Sequence, residues 1–302
     1  MKILVTGGAG FIGSHIVDKY IGLGHKVVII DNLSSGFRKN LNKRAKFYKV
    51  DIRNYKTLEK IIKKEKPRLV SHHAAVSGVP QSIKDPISTY QINISGTVNL
   101  LLIAGQTGVK KIIFASTGGT IYGNAKKLPV KENCPLNPLS PYAFSKCIGE
   151  EFIEFYAKVH GFDFLILRYG NVYGPRQNPK AEAGVVAIFT GLMKKNVRPT
   201  IFGDGTKTRD YSHINDVVGA NVLGLKRGKN EFLNIGSGKE ISDQKIFDVL
   251  AKAVNFKKPP IYAPFRPAEP YRIFLDCSRA QKILGWKSKI NFKEGIEKYL
   301  SQ

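Results

Sequence analysis

The sequence predicts an α/β protein with a doubly wound parallel sheet and a smaller, irregular α/β region after it. Through the first 170 residues, short apolar runs that end in turn residues alternate with segments of helical apolar spacing. Repeated β-α-β units of this kind form parallel sheets with right-handed crossovers. After about Gly170 the alternation loosens, and glycine, proline and short elements dominate residues 171–215 and 256–276. A second, smaller unit is therefore expected there.

The predicted strands are short apolar runs, as expected for strands covered on both faces. They lie at residues 2–7, 25–31, 45–51, 68–74, 111–117 and 162–170. Between them, apolar residues recur about every 3.6 positions, which predicts helices with an apolar face. These helices lie at residues 11–24, 54–65, 85–106 and 142–159.

The composition is that of a globular protein. Of the 302 residues, 42% are apolar, which is enough for a sizeable core and excludes a disordered chain. No apolar run reaches the roughly 18 residues that a membrane helix needs, and the first strand begins at Lys2, which leaves no room for a signal peptide. We therefore expect a cytoplasmic protein with no membrane partner.

The cysteines and histidines predict no metal site. Cys134, Cys147 and Cys277 form no C-x-x-C pair, and their scatter fits packing roles in a reducing compartment. His72 and His73 are neighbours on a predicted strand, so their side chains point to opposite faces of the sheet.

The net charge of +25 permits a nucleic-acid-binding interpretation. Lysine and arginine are spread along the whole chain, however, and the densest segment, residues 38–49, lies in a loop that leads into a strand. No helix-turn-helix, zinc-finger or RNP pattern is present. We therefore favour a solvated basic surface and expect no nucleic-acid partner. A positive field would also attract anionic nucleotides.

The turn after the first strand carries a dinucleotide-binding pattern. Gly7, Gly10 and Gly13 form G-x-x-G-x-x-G between a strand and a helix, which is the context that the pattern requires. Gly7 permits the tight turn, Gly10 lets the backbone approach a pyrophosphate, and Gly13 lets the helix pack close to the strand. The free N–H groups of the helix N-terminus, at Phe11 and Ile12, would bind the phosphates.

Two acidic residues at strand ends extend this site. Asp31 ends the second predicted strand, 18 residues beyond Gly13, where a carboxylate can accept both ribose hydroxyls of NAD and would repel the 2′-phosphate of NADP. The alternative interpretation is that Asp31 caps a turn with Asn32. Asp51 ends the third strand and could reach the adenine edge, or it is a plain turn residue.

Tyr142 and Lys146 form Y-x-x-x-K on a predicted helix, where residues four apart share one face. A nearby ammonium lowers the pKa of a tyrosine because it favours the phenolate. Such a tyrosine can take a proton from a hydroxyl group as a hydride leaves for a nicotinamide. The pair alone is common, but a dinucleotide pattern upstream makes a catalytic interpretation the stronger one.

At these residues the chain resembles the extended short-chain dehydrogenase/reductase family. The resemblance runs from Lys2 to about Lys298 and is strongest to the members that are UDP-glucose (UDP-galactose) 4-epimerases. Its motifs are TGGAGFIGSH (6–15), PYAFSK (141–146), RYGNVYGPRQ (168–177) and IFGDGTKTRDYSHINDV (201–217). It implies a Rossmann-type NAD-binding domain at residues 1–170 with a returning segment at about 213–238. Residues 171–212 and 239–302 would form a nucleotide-sugar-binding domain.

The resemblance implies NAD as the cofactor and a UDP-sugar as the substrate. The implied NAD-binding residues are Gly7, Gly10, Phe11, Ile12, Gly13, Asp31, Asn32, Ser35, Gly36, Asp51, Ile52, Ala74, Ala75, Asn93, Ser116, Tyr142, Lys146 and Tyr169. The implied substrate-binding residues are Thr117, Tyr142, Asn171, Val185, Arg209, Arg266, Glu269 and Ile273. The two arginines are suited to bidentate contacts with a diphosphate, or alternatively form surface ion pairs.

The catalytic residues implied by the resemblance are Thr117, Tyr142 and Lys146. Many members carry a Ser or Thr four residues before a Tyr-Gly pair, where its hydroxyl binds the reacting sugar, but this chain has Gly118 there. Thr117 or Ser116 would then supply the hydroxyl, and the Thr-Gly-Gly sequence favours Thr117.

The residue seven positions after Arg266 is expected to wall the sugar's 2-position. The family varies there between bulky residues, which exclude 2-acetamido sugars, and small ones, which admit them. Ile273 is intermediate and would leave room beyond its Cβ, so we expect UDP-galactose to be preferred and UDP-N-acetylgalactosamine to turn over slowly. Ile273 as an ordinary core residue is the alternative.

The implied reaction is the interconversion of UDP-galactose and UDP-glucose by transient oxidation at C4, rotation of the keto sugar and re-reduction. Alternatives are a UDP-N-acetylhexosamine or UDP-glucuronate 4-epimerase and a nucleotide-sugar dehydrogenase. A dehydratase is disfavoured because Gly119 and Thr120 stand where an Asp-Glu pair is usual. A Rossmann-type redox sensor or RNA-binding protein is the non-enzymatic alternative. Apolar residues on a second face of the helices at 85–106 and 142–159 predict a homodimer.

Overall fold

Seven parallel strands form the central sheet of the computed structural model, which describes residues 1–178 and 184–301. In chain order the strands of the described residues are β1 (Lys2–Thr6), β2 (Lys26–Asp31), β3 (Lys46–Lys49), β4 (Leu69–His72), β5 (Lys111–Thr117), β6 (Asp163–Tyr169), β7 (Asn171–Tyr173), β8 (Thr200–Phe202), β9 (Thr208–His213), β10 (Glu231–Ile235), β11 (Glu240–Ser242) and β12 (Ile261–Ala263). The order across the sheet is β10-β6-β5-β4-β1-β2-β3. The predicted α/β class with a doubly wound parallel sheet is confirmed.

The helices connect these strands and cover the sheet. They are α1 (Phe11–Gly22), α2 (Tyr55–Glu65), α3 (Val79–Lys84), α4 (Pro86–Tyr90), α5 (Gly96–Thr107), α6 (Pro141–His160), α7 (Val185–Met193), α8 (Ile214–Gly224), α9 (Asp243–Ala253), α10 (Ser278–Leu284) and α11 (Phe292–Leu300). No helix among residues 1–178 and 184–301 combines the length and the apolar character needed to cross a membrane.

Alternation along the strands divides the core between the two faces of the sheet. Ile3 and Val5 of β1 pack in one apolar cluster with α1 and α8, whereas Leu4 packs in a second cluster with α2, α5 and α6. Successive side chains of a strand point to opposite faces, so each buried strand needs apolar residues at every position. The continuous apolar runs of the sequence follow from this double coverage.

The ends of the elements differ from the sequence prediction by one or two residues. The first strand ends at Thr6 rather than Gly7, because Gly7 has φ +70° and leaves the extended region. The predicted helix at 85–106 is interrupted by a π-helical turn, Gln91–Ser95, between α4 and α5. Within that turn the Asn93 carbonyl accepts a hydrogen bond from the Thr97 hydroxyl at 2.7 Å, which satisfies a carbonyl in the widened turn.

The later part of the chain builds smaller sheets. Strands β11, β9 and β7 form one, and β12 pairs with β8 in another. A third apolar cluster, with Phe189 of α7 and Phe247 of α9, packs beneath them. Strand β10 returns to the central sheet beside β6. The carboxyl ends of the central strands therefore lie next to the smaller sheets.

Candidate active site

The turn between β1 and α1 presents bare backbone at the carboxyl edge of the sheet. A Cβ at Gly7 would lie 2.7 Å from the Ala74 nitrogen, and a Cβ at Gly13 would collide with the Gly7 carbonyl oxygen. The Gly10 nitrogen donates to the Gly7 carbonyl at 3.1 Å, which closes the turn before Phe11 and Ile12 begin the helix. The turn is thus packed too closely against its own backbone to carry side chains at these two positions. Such a tight glycine turn before a helix fits the approach of a pyrophosphate to the N-terminus of α1.

Asp31 joins the end of β2 to this turn. Its carboxylate accepts the N–H of Ala9 at 3.0 Å and the N–H of Leu33 at 2.7 Å. Burial raises the pKa of Asp31, and these two backbone hydrogen bonds oppose the rise. Asp31 therefore does cap a turn. Its carboxylate also lies beside the glycine turn, which is the position required for binding the ribose of NAD.

Asn32 and Asp51 lie together beyond the ends of β2 and β3. The Asn32 amide donates to Asp51 at 3.0 Å, and Arg53 pairs with the same carboxylate at 2.8 Å. The hydrogen bonds from Arg53 lower the pKa of Asp51 to about 2. Asp51 is therefore fixed as an anion at the position expected to border the adenine.

Other predicted cofactor residues lie in loops at the same edge of the sheet. Gly36, next to Ser35, packs so closely on Ala9 that a Cβ would lie 2.8 Å from its carbonyl carbon. Ala74 borders Gly7, and Ala75 follows it in the same loop. The Ile52 side chain packs against Gly96 at the start of α5. The structure thus gathers the predicted residues of loops 31–36, 51–52 and 74–75 along this edge of the sheet.

Three predicted cofactor residues have their side chains engaged elsewhere. The Asn93 amide exchanges hydrogen bonds with the Val76 backbone at 2.8 and 2.9 Å and donates to Ser145. The Ser116 hydroxyl donates to Glu150, and the Tyr169 hydroxyl accepts from Asn221 inside the core. Buried polar groups of this kind are normally satisfied by such partners. Binding of NAD by these three residues stays a prediction.

Helix α6 carries Tyr142 and Lys146 into the site. It begins at Pro141, where the Ser140 hydroxyl caps the Ala143 N–H, and ends at His160, followed by Gly161 in the left-handed region. The Lys146 ammonium donates to the Ala115 carbonyl at 2.7 Å and lies 4.5 Å from the centre of the Phe114 ring. The lysine is thereby held against β5, one helical turn from Tyr142.

The Lys146 charge acts on the neighbouring strand. Burial first, and this ammonium second, lower the pKa of His73 to about 3 and hold the pKa of His72 well below its ordinary value. Both imidazoles are therefore neutral near pH 7. His72 accordingly serves in hydrogen bonds to Thr6 at 2.6 Å and Thr97 at 2.9 Å.

Thr117 ends β5 at the carboxyl edge of the sheet. Its hydroxyl lies 3.3 Å from the Thr120 hydroxyl, whereas the Ser116 hydroxyl points to the other face of the strand, towards Glu150. A Cβ at Gly118 would lie 2.7 Å from the Leu275 side chain, so this chain leaves no space for a side chain there. The geometry favours Thr117 as the available hydroxyl.

The predicted substrate residues lie on the smaller sheets next to that edge. Asn171 begins β7, opposite Tyr211 of β9. Val185 begins α7 just after residues 179–183, which lie outside the described part of the chain. Arg266 is exposed and stacks on Phe202, 3.7 Å from the ring centre.

Arg209 and Glu269 belong to a buried group of charges. The Arg209 guanidinium lies 3.7 Å from the Glu269 carboxylate, which is also bound by Lys207 at 2.7 Å. Lys207 in turn lies 3.5 Å from Asp243. Desolvation raises the pKa of Asp243, and the charges of Lys207 and Arg209 oppose the rise. Sequence reasoning missed Lys207 and Asp243, although Lys207 stands two residues before Arg209 in a quoted motif.

Ile273 has no exposed surface and packs in an apolar cluster with Ile121, Val130, Cys147 and Leu275. The expected room beyond its Cβ is therefore wrong, because neighbouring side chains fill that space. The cluster does adjoin the site, since Cys147 follows Lys146 and Ile121 follows Thr120. A role of Ile273 in shaping the sugar site stays a prediction.

Two further polar groups near the site were not singled out from the sequence. Glu150, four residues after Lys146, forms an ion pair with Arg168 on β6. Asp210 accepts hydrogen bonds from the Ser237 nitrogen at 2.6 Å and from the Gly238 and Leu275 nitrogens at 3.1 Å. The sequence could have indicated Glu150, because it stands four residues after Lys146 and so shares its helix face. It could not have indicated Asp210, because the partners of Asp210 come from distant segments.

Comparison with known proteins gives consistent results over the whole chain. The model of the NAD dependent epimerase/dehydratase family matches residues 3–236. A UDP-glucose 4-epimerase of Mycolicibacterium smegmatis is 40% identical, covering 99% of this chain and 97% of that protein. A crystal structure of UDP-glucose 4-epimerase with UDP-glucose from Thermotoga maritima is 44% identical with a TM-score of 0.98, covering 100% and 98% of the two chains.

A second solved structure carries the cofactor. The Thermus thermophilus UDP-glucose 4-epimerase in complex with NAD is 39% identical and has a TM-score of 0.95, again covering 100% of this chain and 98% of the other. The likeness thus extends over sequence, fold and the part of the chain where the site lies.

Proposed function

The chain belongs to the NAD dependent epimerase/dehydratase family, and from this premise we propose that it interconverts UDP-galactose and UDP-glucose. One observation carries the proposal. Lys146 is anchored to the Ala115 carbonyl at the carboxyl end of β5, which puts Tyr142, Lys146 and the available Thr117 hydroxyl at one edge beside a glycine turn. Full-length relatives with that activity support it.

The residues present fit NAD. The backbone of Gly7, Gly10 and Gly13 would receive the pyrophosphate, and Asp31 would accept the ribose hydroxyls, which favours NAD over NADP. The chemistry that bound NAD would supply is a reversible hydride acceptor for C4 of the hexose. The protein's part is to bind, orient and move the proton.

Tyr142 would exchange the proton of the C4 hydroxyl. The Lys146 ammonium favours the phenolate because opposite charges attract across the shared helix face. Thr117 would hold the reacting oxygen by a hydrogen bond, which fixes the hydroxyl for transfer. Arg209 would contact the diphosphate, which anchors the substrate while the sugar turns.

Incubation of the purified protein with UDP-galactose, without added NAD, tests the proposal. We expect UDP-glucose to form and equilibrium to be approached from either sugar, because the cofactor is regenerated in each turnover. In a parallel incubation with added NAD, accumulation of NADH would instead indicate a dehydrogenase. Faster conversion of UDP-N-acetylgalactosamine or UDP-glucuronate would identify one of the other epimerases, and the absence of all these conversions would refute the proposed enzyme.

A homodimer is proposed from the outer face of α4 and α6. Phe155 and Val159 of α6 are 56% and 57% exposed, and Ile87 of α4 is 69% exposed. Apolar side chains grouped on neighbouring helices favour burial against a second copy. Sedimentation of Phe155→Glu should show monomers. Lys252→Glu, exposed on α9, is the control that should stay dimeric. The cytoplasmic location stays a prediction.

A further inference from the structure

Four charged side chains lie together where β9 begins, three of them buried and one partly buried. They are Lys207, Arg209, Asp243 and Glu269, which we call the charge cluster. Lys207 binds Glu269 at 2.7 Å and lies 3.5 Å from Asp243, while Arg209 is 3.7 Å from Glu269. Lys207, Arg209 and Asp243 are each less than a tenth exposed. The attraction within the cluster is therefore screened much less than at the surface.

The members come from three parts of the chain. Lys207 and Arg209 are two residues apart, Asp243 is the first residue of α9, and Glu269 lies in the loop before Ile273. The backbone reinforces the arrangement, since the Asp243 nitrogen donates to the Lys207 carbonyl at 3.0 Å and the Thr208 nitrogen donates to the Tyr271 carbonyl at 3.1 Å. Lys207 is the contact that both carboxylates share.

The charge balance of the cluster depends on Lys207. Two cations and two carboxylates sum to zero, so removal of the Lys207 charge would leave one arginine with two carboxylates. The cluster would then be anionic where Arg209 is proposed to meet a diphosphate. An anionic cluster would repel the phosphates, because like charges held close together in a partly buried site disfavour binding.

We propose that Lys207 is a positioning residue for the nucleotide diphosphate. It balances one of the two carboxylate charges of Asp243 and Glu269, which keeps the cluster neutral rather than anionic where Arg209 meets the phosphates. This role of Lys207 rests on the proposed function. It goes further, because the protein's affinity for a diphosphate would then depend on a residue that need not touch the ligand. Lys207 also fixes the Glu269 carboxylate, which keeps the loop 266–272 against β9.

The test is UDP binding measured by titration calorimetry. Lys207→Gln removes one positive charge, and we expect UDP to bind at least about tenfold more weakly. Uridine, which carries no phosphate, should lose little. Lys245→Gln is the matched control, because Lys245 is exposed on α9 and its loss changes the net charge equally. UDP binding by that variant should stay within about twofold of the parent.

Asp243→Asn provides the opposite test. Alone, it should tighten UDP binding, because the cluster becomes cationic, and combined with Lys207→Gln it should restore most of the lost affinity. A purely structural ion pair predicts loss of stability and no tightening. Asp243→Asn also serves if Lys207→Gln fails to fold.

The outcomes separate this inference from the proposed function. If the parent protein does not bind UDP, both fail. If the parent binds UDP but Lys207→Gln binds it equally well, or if Asp243→Asn leaves UDP binding unchanged or weaker, the role of Lys207 is refuted and the proposed function stands.

Discussion

Arg168 and Glu150 form a buried bidentate ion pair that ties β6 to α6 one helical turn beyond Lys146. The guanidinium donates to the carboxylate at 2.6 and 3.0 Å, and its other nitrogen donates to Tyr122 at 2.9 Å. Side chains of both partners are at most 6% exposed. The pair therefore sets the position of the helix that carries Tyr142 and Lys146.

Glu150→Gln should destabilise the fold by about 3–5 kcal/mol, because the Arg168 charge would stay buried without its partner. Urea unfolding measures this change. Glu154→Gln on the same helix is the control, since Glu154 pairs with Lys158 at the surface and should cost less than about 1 kcal/mol. Equal effects of the two substitutions would show that the buried pair does not position α6.

Asp31→Ala should lower the NAD content of the purified protein. The change removes the proposed acceptor of the ribose hydroxyls, and it also frees the Ala9 and Leu33 N–H groups that shape the glycine turn. NAD released on denaturation is the measurement. Asp31→Asn keeps the side-chain shape and isolates the charge. Full NAD content in both variants would argue that Asp31 only caps the turn.

Tyr142→Phe should keep NAD and UDP binding but lose about 10²–10⁴-fold in turnover, since only the proton acceptor is removed. The rate of UDP-galactose conversion and the UDP dissociation constant are measured on the same preparation. Turnover near that of the parent would rule out Tyr142 as the acid-base group.

Thr117→Val and Ser116→Ala should have different consequences. The Thr117 hydroxyl lies at the sheet edge, so its loss should reduce kcat, whereas the Ser116 hydroxyl binds Glu150 and its loss should mainly reduce stability. Turnover and thermal unfolding of both variants separate the two roles. A loss of turnover confined to Ser116→Ala would reverse the assignment.

Ile273→Val should raise kcat/KM for UDP-N-acetylgalactosamine relative to UDP-galactose, by up to about tenfold, because one methylene less opens space in a filled cluster. It should cost about 0.5–1.5 kcal/mol of stability. Val130→Ala, in the same cluster, controls for general loosening. An unchanged ratio of the two kcat/KM values for Ile273→Val would identify Ile273 as a core residue only.

The fold was predictable because its determinants are local. Apolar runs such as residues 111–117 match β5 to the residue, and the glycine turn needs only the spacing of Gly7, Gly10 and Gly13. The break at Gln91–Ser95 was not predictable, since the Asn93 side chain within it bonds the Val76 backbone of another loop. Periodicity alone cannot register such a contact.

In the candidate site, only the residues that belong to short sequence motifs were predictable. Tyr142 and Lys146 share a helix face by spacing, but which of Ser116 and Thr117 is available depends on Glu150, a residue on another element. The full burial of Ile273 likewise depends on side chains from four segments. Long-range packing decides both cases, and a single sequence does not reveal it.

The position of β3 at the edge of the central sheet bears on how the protein behaves at high concentration. Its sequence, Lys-Phe-Tyr-Lys, places a lysine at each end of a four-residue strand. A second chain that paired with this edge would bring like charges together over a very short ladder. The short, lysine-flanked edge strand β3 thus disfavours the addition of a strand from another molecule. This disfavours fibre formation through that edge of an otherwise strongly apolar sheet.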